Sequence, residues 1–320
     1  MLQTYNTQYE YTYLNSSEKL EKHSSSPTSL TYKHHSEPTQ KIVGNNSKVE
    51  KLASEFQFTE GPVWHPSGFL LFSDIPGDTI YKWTSDGNIS IFRHPAGNPN
   101  GNTFDLEGQL ITAQHNRRLT RTDKNGHITV LADYFQGQRL NSPNDLVVRS
   151  DGSIYFTDPP YGIDKKQEEL GFYGIYRLTP DGTLSLLNKT MVRPNGIAFS
   201  PGQTKLYVSD SRKREIRVFE VASDGTLTSN QVFVDMRELL GKGIPDGLKV
   251  DTQGNIYCSG SKAIWIFSPA GKLLDKINLP EVVTNLTWGD EDYRTLYITA
   301  RHSIYRIRLK IAGVKVQNEK

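Results

Sequence analysis

A single cysteine, Cys258, stands in this chain of 320 residues, so no disulfide can form within it. With no CxxC and no Cys/His cluster, a thiolate metal site is excluded as well. The thiol lies inside a β-rich run and reads as a buried structural residue. Charge of one sign is also lacking: 37 Lys and Arg against 35 Asp and Glu leave a formal net charge of +2. That balance offers no electrostatic footprint for a polyanion, and a nucleic-acid partner is not expected. No apolar run approaches the ~20 residues of a membrane span. The first 14 residues carry scattered tyrosines, where a secretory signal needs a basic start and an apolar stretch of ~7–15 residues. A cytoplasmic protein without a membrane partner is the reading, with export left open. Residues 1–48, rich in Ser, Thr, Tyr, Asn, Lys and His, have no sustained apolar periodicity and read as a disordered polar tail ahead of a domain at 49–320.

What the chain does have is a repeat. From Asn141 to Gly162 an amide, Asn144, precedes an apolar run (Leu146 to Val148), the turn Ser150-Asp151-Gly152 reverses the chain, and a second β-rich run follows (Ile154 to Thr157). The same plan has six copies, headed by Glu60, Asn102, Asn144, Asn195, Asp246 and Asn285 at spacings of 42, 42, 51, 51 and 39 residues. Each second run ends in a small residue (Ser73, Ala113, Thr157, Ser209, Ser259, Thr299); a third, aromatic-rich run and usually a Gly turn come next. Four strands in each of six repeats predict an all-β fold, a six-bladed β-propeller with four-stranded blades. The sixth repeat has little room for a fourth strand. Since an open blade would expose a long edge, residues 49–58 are expected to supply that strand and close the ring.

Connectivity names the functional face. Within a blade the first strand leaves the head and the second returns, so the six heads, the links from second to third strand and the links between blades share one face. The Gly turns lie on the other. Heads that converge on the axis bring two carboxylates and several amides together, and gathering two anions is costly unless a cation compensates. Oxygen-only donors summing to −2 suit a hard divalent ion: Ca²⁺ first, with Mg²⁺, Mn²⁺ and, least suited, Zn²⁺ as alternatives. Glu60, Asn144, Asn195 and Asp246, each beside Gly or Pro in EGP, SPND, RPNG and IPDG, are the expected ligands. Asn102 and Asn285 could instead only cap strand starts.

The segments EGPVW, RLNSPNDLVV, GSIYFTDPPYG, RPNGIAFS and IPDGLKVD, in this order over roughly residues 50–310, resemble the gluconolactonase family, which includes the senescence marker protein regucalcin. The resemblance implies a propeller with a central divalent cation that hydrolyses small sugar lactones. It also implies Glu60, Asn195 and Asp246 as metal ligands and Asn144 near both metal and substrate. Animal members carry an arginine two residues before that asparagine; here the position is Ser142, so sugar binding is expected to differ.

For the chemistry, a central cation acts as a Lewis acid on a lactone carbonyl. Asp246 is the carboxylate expected to take the proton of the attacking water, with His115 as the alternative base because it opens a link on the site face. Asn116 and Arg117 beside it are candidates for substrate hydroxyls, together with Asn102, Asn144 and Asp158. Asp74, Asp158 and Asp210 recur at the ends of second strands (FSD, FTD, VSD), which points to turn capping. The link 158–173 would overhang the site. A lactonase or esterase for a different ring, and a non-catalytic calcium- or ligand-binding propeller, remain the other readings.

Overall fold

The structure, a computed structural model, describes residues 42–44 and 47–315. Of the tail read at 1–48, residues 1–41, 45 and 46 lie outside the described residues. In the inner strands, successive residues bury alternate faces between neighbouring blades. In Ile154–Asp158, Ile154 and Phe156 pack with Ile111, Ala113 and Leu119 of the second blade, while Tyr155 packs with Ile197, Phe199 and Leu206 of the fourth. Both faces being covered, such a strand has no solvated side and reads as an unbroken apolar run. Each fully buried large side chain contributes on the order of 1.5–3 kcal/mol.

Six antiparallel four-stranded sheets result. Their innermost strands are Thr59–His65, Pro99–Phe104, Leu146–Val148, Pro194–Phe199, Pro245–Val250 and Asn285–Gly289, each packed on the next, and the first on the last. This is the expected six-bladed propeller. Closure also follows the expectation: Glu50–Ala53 pairs antiparallel with Ser303–Arg308 as the outermost strand of the sixth blade. Glu50 Oε2 accepts from Arg306 Nε at 2.8 Å across that seam. Upstream, Val43 bridges Leu309, and buried Ile42 joins the cluster around Leu309 and Trp288.

The small residues ending the second strands are rivets between blades. Ser73, Thr157, Ser209 and Ser259 each donate a hydroxyl to the backbone carbonyl of Asn100, Asn195, Asp246 and Thr284, at 2.7, 2.7, 2.6 and 2.7 Å. Ala113 has no hydroxyl and makes no such bond. The aspartates that follow three of them clasp the incoming chain: Asp74 accepts from the amides of Gln57 and Phe58, and Asp210 from those of Val192 and Arg193. Buried Cys258 sits within Ile256–Gly260 as a structural thiol. No described helix is long and apolar enough to cross a membrane.

Candidate active site

The heads are aimed by bulges. Strand pairing slips immediately after Glu60, between Pro99 and Asn102, between Pro194 and Ile197, and between Pro245 and Leu248. A bulge at the start of an inner strand bends the chain and re-aims the side chain there. The following glycine lets the next blade approach. A Cβ on Gly61 would meet Asn100 O at 1.9 Å, one on Gly101 would meet Asn144 O at 2.5 Å, and one on Gly196 would meet Asp246 O at 2.4 Å.

This register corrects one assignment. The residue equivalent to Glu60, Asn195 and Asp246 in the second blade is Asn100, and Asn102 lies two positions beyond it, opposite Thr112. Asn102 is consumed between blades: its Nδ2 donates to Gly61 O and Ser73 Oγ (both 2.8 Å), and its Oδ1 accepts from Thr112 at 2.9 Å. It has no group left for a substrate. The motif NG, parallel to EG, NG and DG in three other blades, was the signal for Asn100. In the sixth blade Thr284 is the equivalent head, and Asn285 occupies the position of the glycines.

Glu60, Asn144, Asn195 and Asp246 are all buried at their strand starts. Glu60 Oε2 accepts from the Gly61 amide (2.8 Å) and Asn285 Nδ2 (3.1 Å). Burial first, and then the charge of Asp145, push the Glu60 carboxyl up to about 7. Burial, followed by the charges of Glu60 and Asp145, holds Asp246 well above the usual carboxylate range, with the Asn195 amide only partly offsetting this. The three carboxylates thus feel one another through a poorly solvated centre. Asp145, unmarked by the repeat pattern, sits where four other blades have glycine. Its Oδ2 lies 3.5 Å from Lys249 Nζ and accepts from Asn285 Nδ2 at 3.4 Å.

Around this centre the donors are oxygen. Asn100 Oδ1 is buried without a hydrogen-bond partner, and Asn144 is buried at the neighbouring strand start. No group of three or more His, Cys, Asp or Glu placed to hold a metal occurs among the described residues, so a cation here would rest on two carboxylates completed by amide oxygens. That donor set fits a hard ion.

His115 stands behind Asn100, not on the axis itself. It is 5 % exposed, and Asn100 Nδ2 donates to its Nε2 at 2.9 Å, which leaves the ring proton on Nδ1. Burial drops its pKa to about 4, so the ring is neutral near pH 7. Asn116 is exposed at the adjoining turn, its amide donating to Gly97 O. Arg117 is committed to structure: Nε donates to Leu140 O at 2.7 Å and Nη2 pairs with Glu169 at 3.2 Å.

The link 158–173 is a fixed wall. Gly162 N donates to Ser142 Oγ (2.8 Å), and a Cβ on Gly162 would meet His115 Cβ at 2.4 Å. Glu169 fastens its far end to Arg117 and to the Arg139 amide. Ser142 is wholly buried and also donates to Pro159 O at 2.8 Å, so this position staples the wall and does not reach a sugar. Asp158 proves to be another clasp: fully buried, its Oδ2 accepts from the Asn141 amide and side chain at 2.8 and 3.1 Å. That burial removes it from direct substrate contact. The wall instead offers Tyr161, whose hydroxyl lies 3.5 Å from Asn195 Nδ2 and whose ionisation the charge of Asp246 opposes after burial. Tyr161 was hidden in DPPYG because no local pattern tells a wall residue's direction.

The fold and site together define a six-bladed propeller with a buried polar site at the inner strand starts, holding carboxylates and one free amide oxygen beside a tethered loop. The chain belongs to the SMP-30/Gluconolactonase/LRE-like region family, which matches residues 58–302. It is 37% identical over 300 residues to a gluconolactonase of Zymomonas mobilis, covering 85% of this chain and 84% of that one. The gluconolactonase XC5397 of Xanthomonas campestris superposes with a TM-score of 0.79 at 32% identity, covering 86% and 93% of the two chains. A calcium-binding regucalcin of Agrobacterium tumefaciens shares the fold with a TM-score of 0.71 at 21% identity, over 83% and 95%. The protein is accordingly a lactonase, a hydrolase that opens a cyclic ester.

Proposed function

We propose that the protein hydrolyses a sugar lactone of the gluconolactone type to its aldonic acid, with a divalent cation, Ca²⁺ first, held by Glu60, Asn144, Asn195 and Asp246. The observation that carries this reading is the pair of buried axial carboxylates, each held above its ordinary range, with the unpartnered Asn100 amide oxygen at the neighbouring strand start. Such a pair is unfavourable alone and favourable around a hard cation. The gluconolactonase relatives support the substrate class, and the calcium-binding neighbour is in keeping with the ion. A bound cation supplies Lewis acidity toward the lactone carbonyl and acidifies water.

The chain's own residues do the rest. Asp246 takes a proton from the attacking water as the C–O bond to the new hydroxyl forms, and returns that proton to the ring oxygen as the ring ester C–O bond breaks, so that it leaves as an alcohol. Tyr161, kept protonated by burial and by Asp246, donates a hydrogen bond toward the substrate. Asn144 and the exposed Asn116 orient sugar hydroxyls. His115, neutral and bonded to Asn100, positions that amide; Asp246 faces the axis directly and is the better-placed base. Asp246→Asn keeps the volume and removes the charge. It should lower kcat on glucono-δ-lactone by roughly 10²–10⁴ with an unchanged circular dichroism melt, and a folded variant with wild-type turnover would contradict the assignment.

A further inference from the structure

Resting on the proposed cation site, we infer that Lys249 is the built-in counter-ion of the axis: its ammonium offsets Asp145, leaving the three axial carboxylates a net charge of −2 that matches one divalent cation. Lys249 lies in Pro245–Val250 between Leu248 and Val250, both buried in apolar packing. A lysine that deep on an inner strand calls for a partner. Its Nζ is 3.5 Å from Asp145 Oδ2, with the lysine side chain 24% exposed and the aspartate 3%. Asn285 Nδ2 then bridges Asp145 Oδ2 (3.4 Å) and Glu60 Oε2 (3.1 Å). A continuous polar chain thus runs Lys249–Asp145–Asn285–Glu60, joining the fifth, third, sixth and first blades.

Through Asn285 Nδ2 the Lys249–Asp145 pair is tied directly to Glu60. Asp145, in turn, occupies a position that is glycine in four blades, so the third carboxylate is an addition to the repeat and comes with its own cation. Without the lysine the cluster would carry −3 in a buried setting, where Coulomb interactions are strong. Lys249 is therefore a positioning residue that sets how strongly the axis attracts a cation, distinct from one that only holds Asp145 in place.

The test is calorimetric titration of Ca²⁺ into chelator-stripped protein: wild type, Lys249→Met, Asp145→Asn and the double variant. Affinity should follow net charge. Lys249→Met is expected to bind about tenfold or more tightly or to take a second ion, Asp145→Asn to bind about tenfold or more weakly, and the double variant to return within about threefold of wild type. Lys249→Gln carries the same expectation should the apolar variant lose its fold. Weaker binding in Lys249→Met without recovery in the double variant would assign the lysine a purely structural role and overturn the inference. Wild-type protein that binds neither Ca²⁺ nor Mg²⁺ or Mn²⁺ would instead remove the cation reading on which it stands.

Discussion

At the scale of single residues, the proposed cation site would tie ion binding to pH through the axial carboxylates. Glu60 ordinarily titrates near 4.5 and is pushed to about 7 in the fold, so between those values the folded, ion-free protein holds a proton that the unfolded chain has released. Stability from this group is complete below its unfolded pKa and is lost as pH rises through about 7. Asp246 acts in the same direction. A cation bound at the proposed site would replace the proton, and its stabilising effect would grow over the same window. The Ca²⁺-induced rise in Tm is expected to be small near pH 5 and to increase to pH 8; measured by differential scanning fluorimetry, a rise that shrinks with pH would oppose the account. His115 works the other way, costing stability as pH falls from 6.5 toward about 4, which is why the ion-induced difference is the quantity to read.

At the scale of the strand and loop, the heads depend on close approach between blades. Ala at Gly196 would drive a Cβ to 2.4 Å from Asp246 O and 2.7 Å from Gly247 Cα. Gly196→Ala is expected to cost about 1–3 kcal/mol and to weaken Ca²⁺ binding by displacing Asp246. Gly202→Ala, in a turn with nothing within 4 Å, should alter neither, and chemical denaturation with calorimetry reads both. The same contacts explain what was legible in the sequence. Glu60, Asn144, Asn195 and Asp246 stood out because Gly or Pro beside a polar head marks a tight turn at a strand start. Asn102 reads as the head in place of Asn100 because the bulge inserts one extra residue, three steps from Pro99 to Asn102 against two from Gln114 to Thr112, and a bulge is defined by the partner strand, not by local composition. The Asp145–Lys249 pair joins the third and fifth blades, a tertiary contact without any local signature. Asp158 reads as a site-face residue from connectivity, yet burial turns it inward to hold the wall.

At the scale of the whole molecule, the six repeats were readable because identical packing demands recur at each blade, and ring closure followed from the cost of an open edge. The seam depends on the Glu50–Ala53 strand and Ile42. Removal of residues 1–41 should leave Tm within about 2 °C, whereas removal of 1–53 takes away Ile42 and the Glu50–Ala53 strand and should lower Tm by about 10 °C or more. Equal effects of the two truncations would mean that the closing strand adds nothing. The central claim, a lactonase whose axis works through a divalent cation, is tested most directly by the initial rate of glucono-δ-lactone hydrolysis above the spontaneous background. Chelator-stripped protein is assayed alone and with Ca²⁺, Mg²⁺, Mn²⁺ or Zn²⁺. Stripped protein is expected to show no enzymatic rate and to regain it with Ca²⁺; a full rate that persists after stripping would contradict the divalent-cation reading.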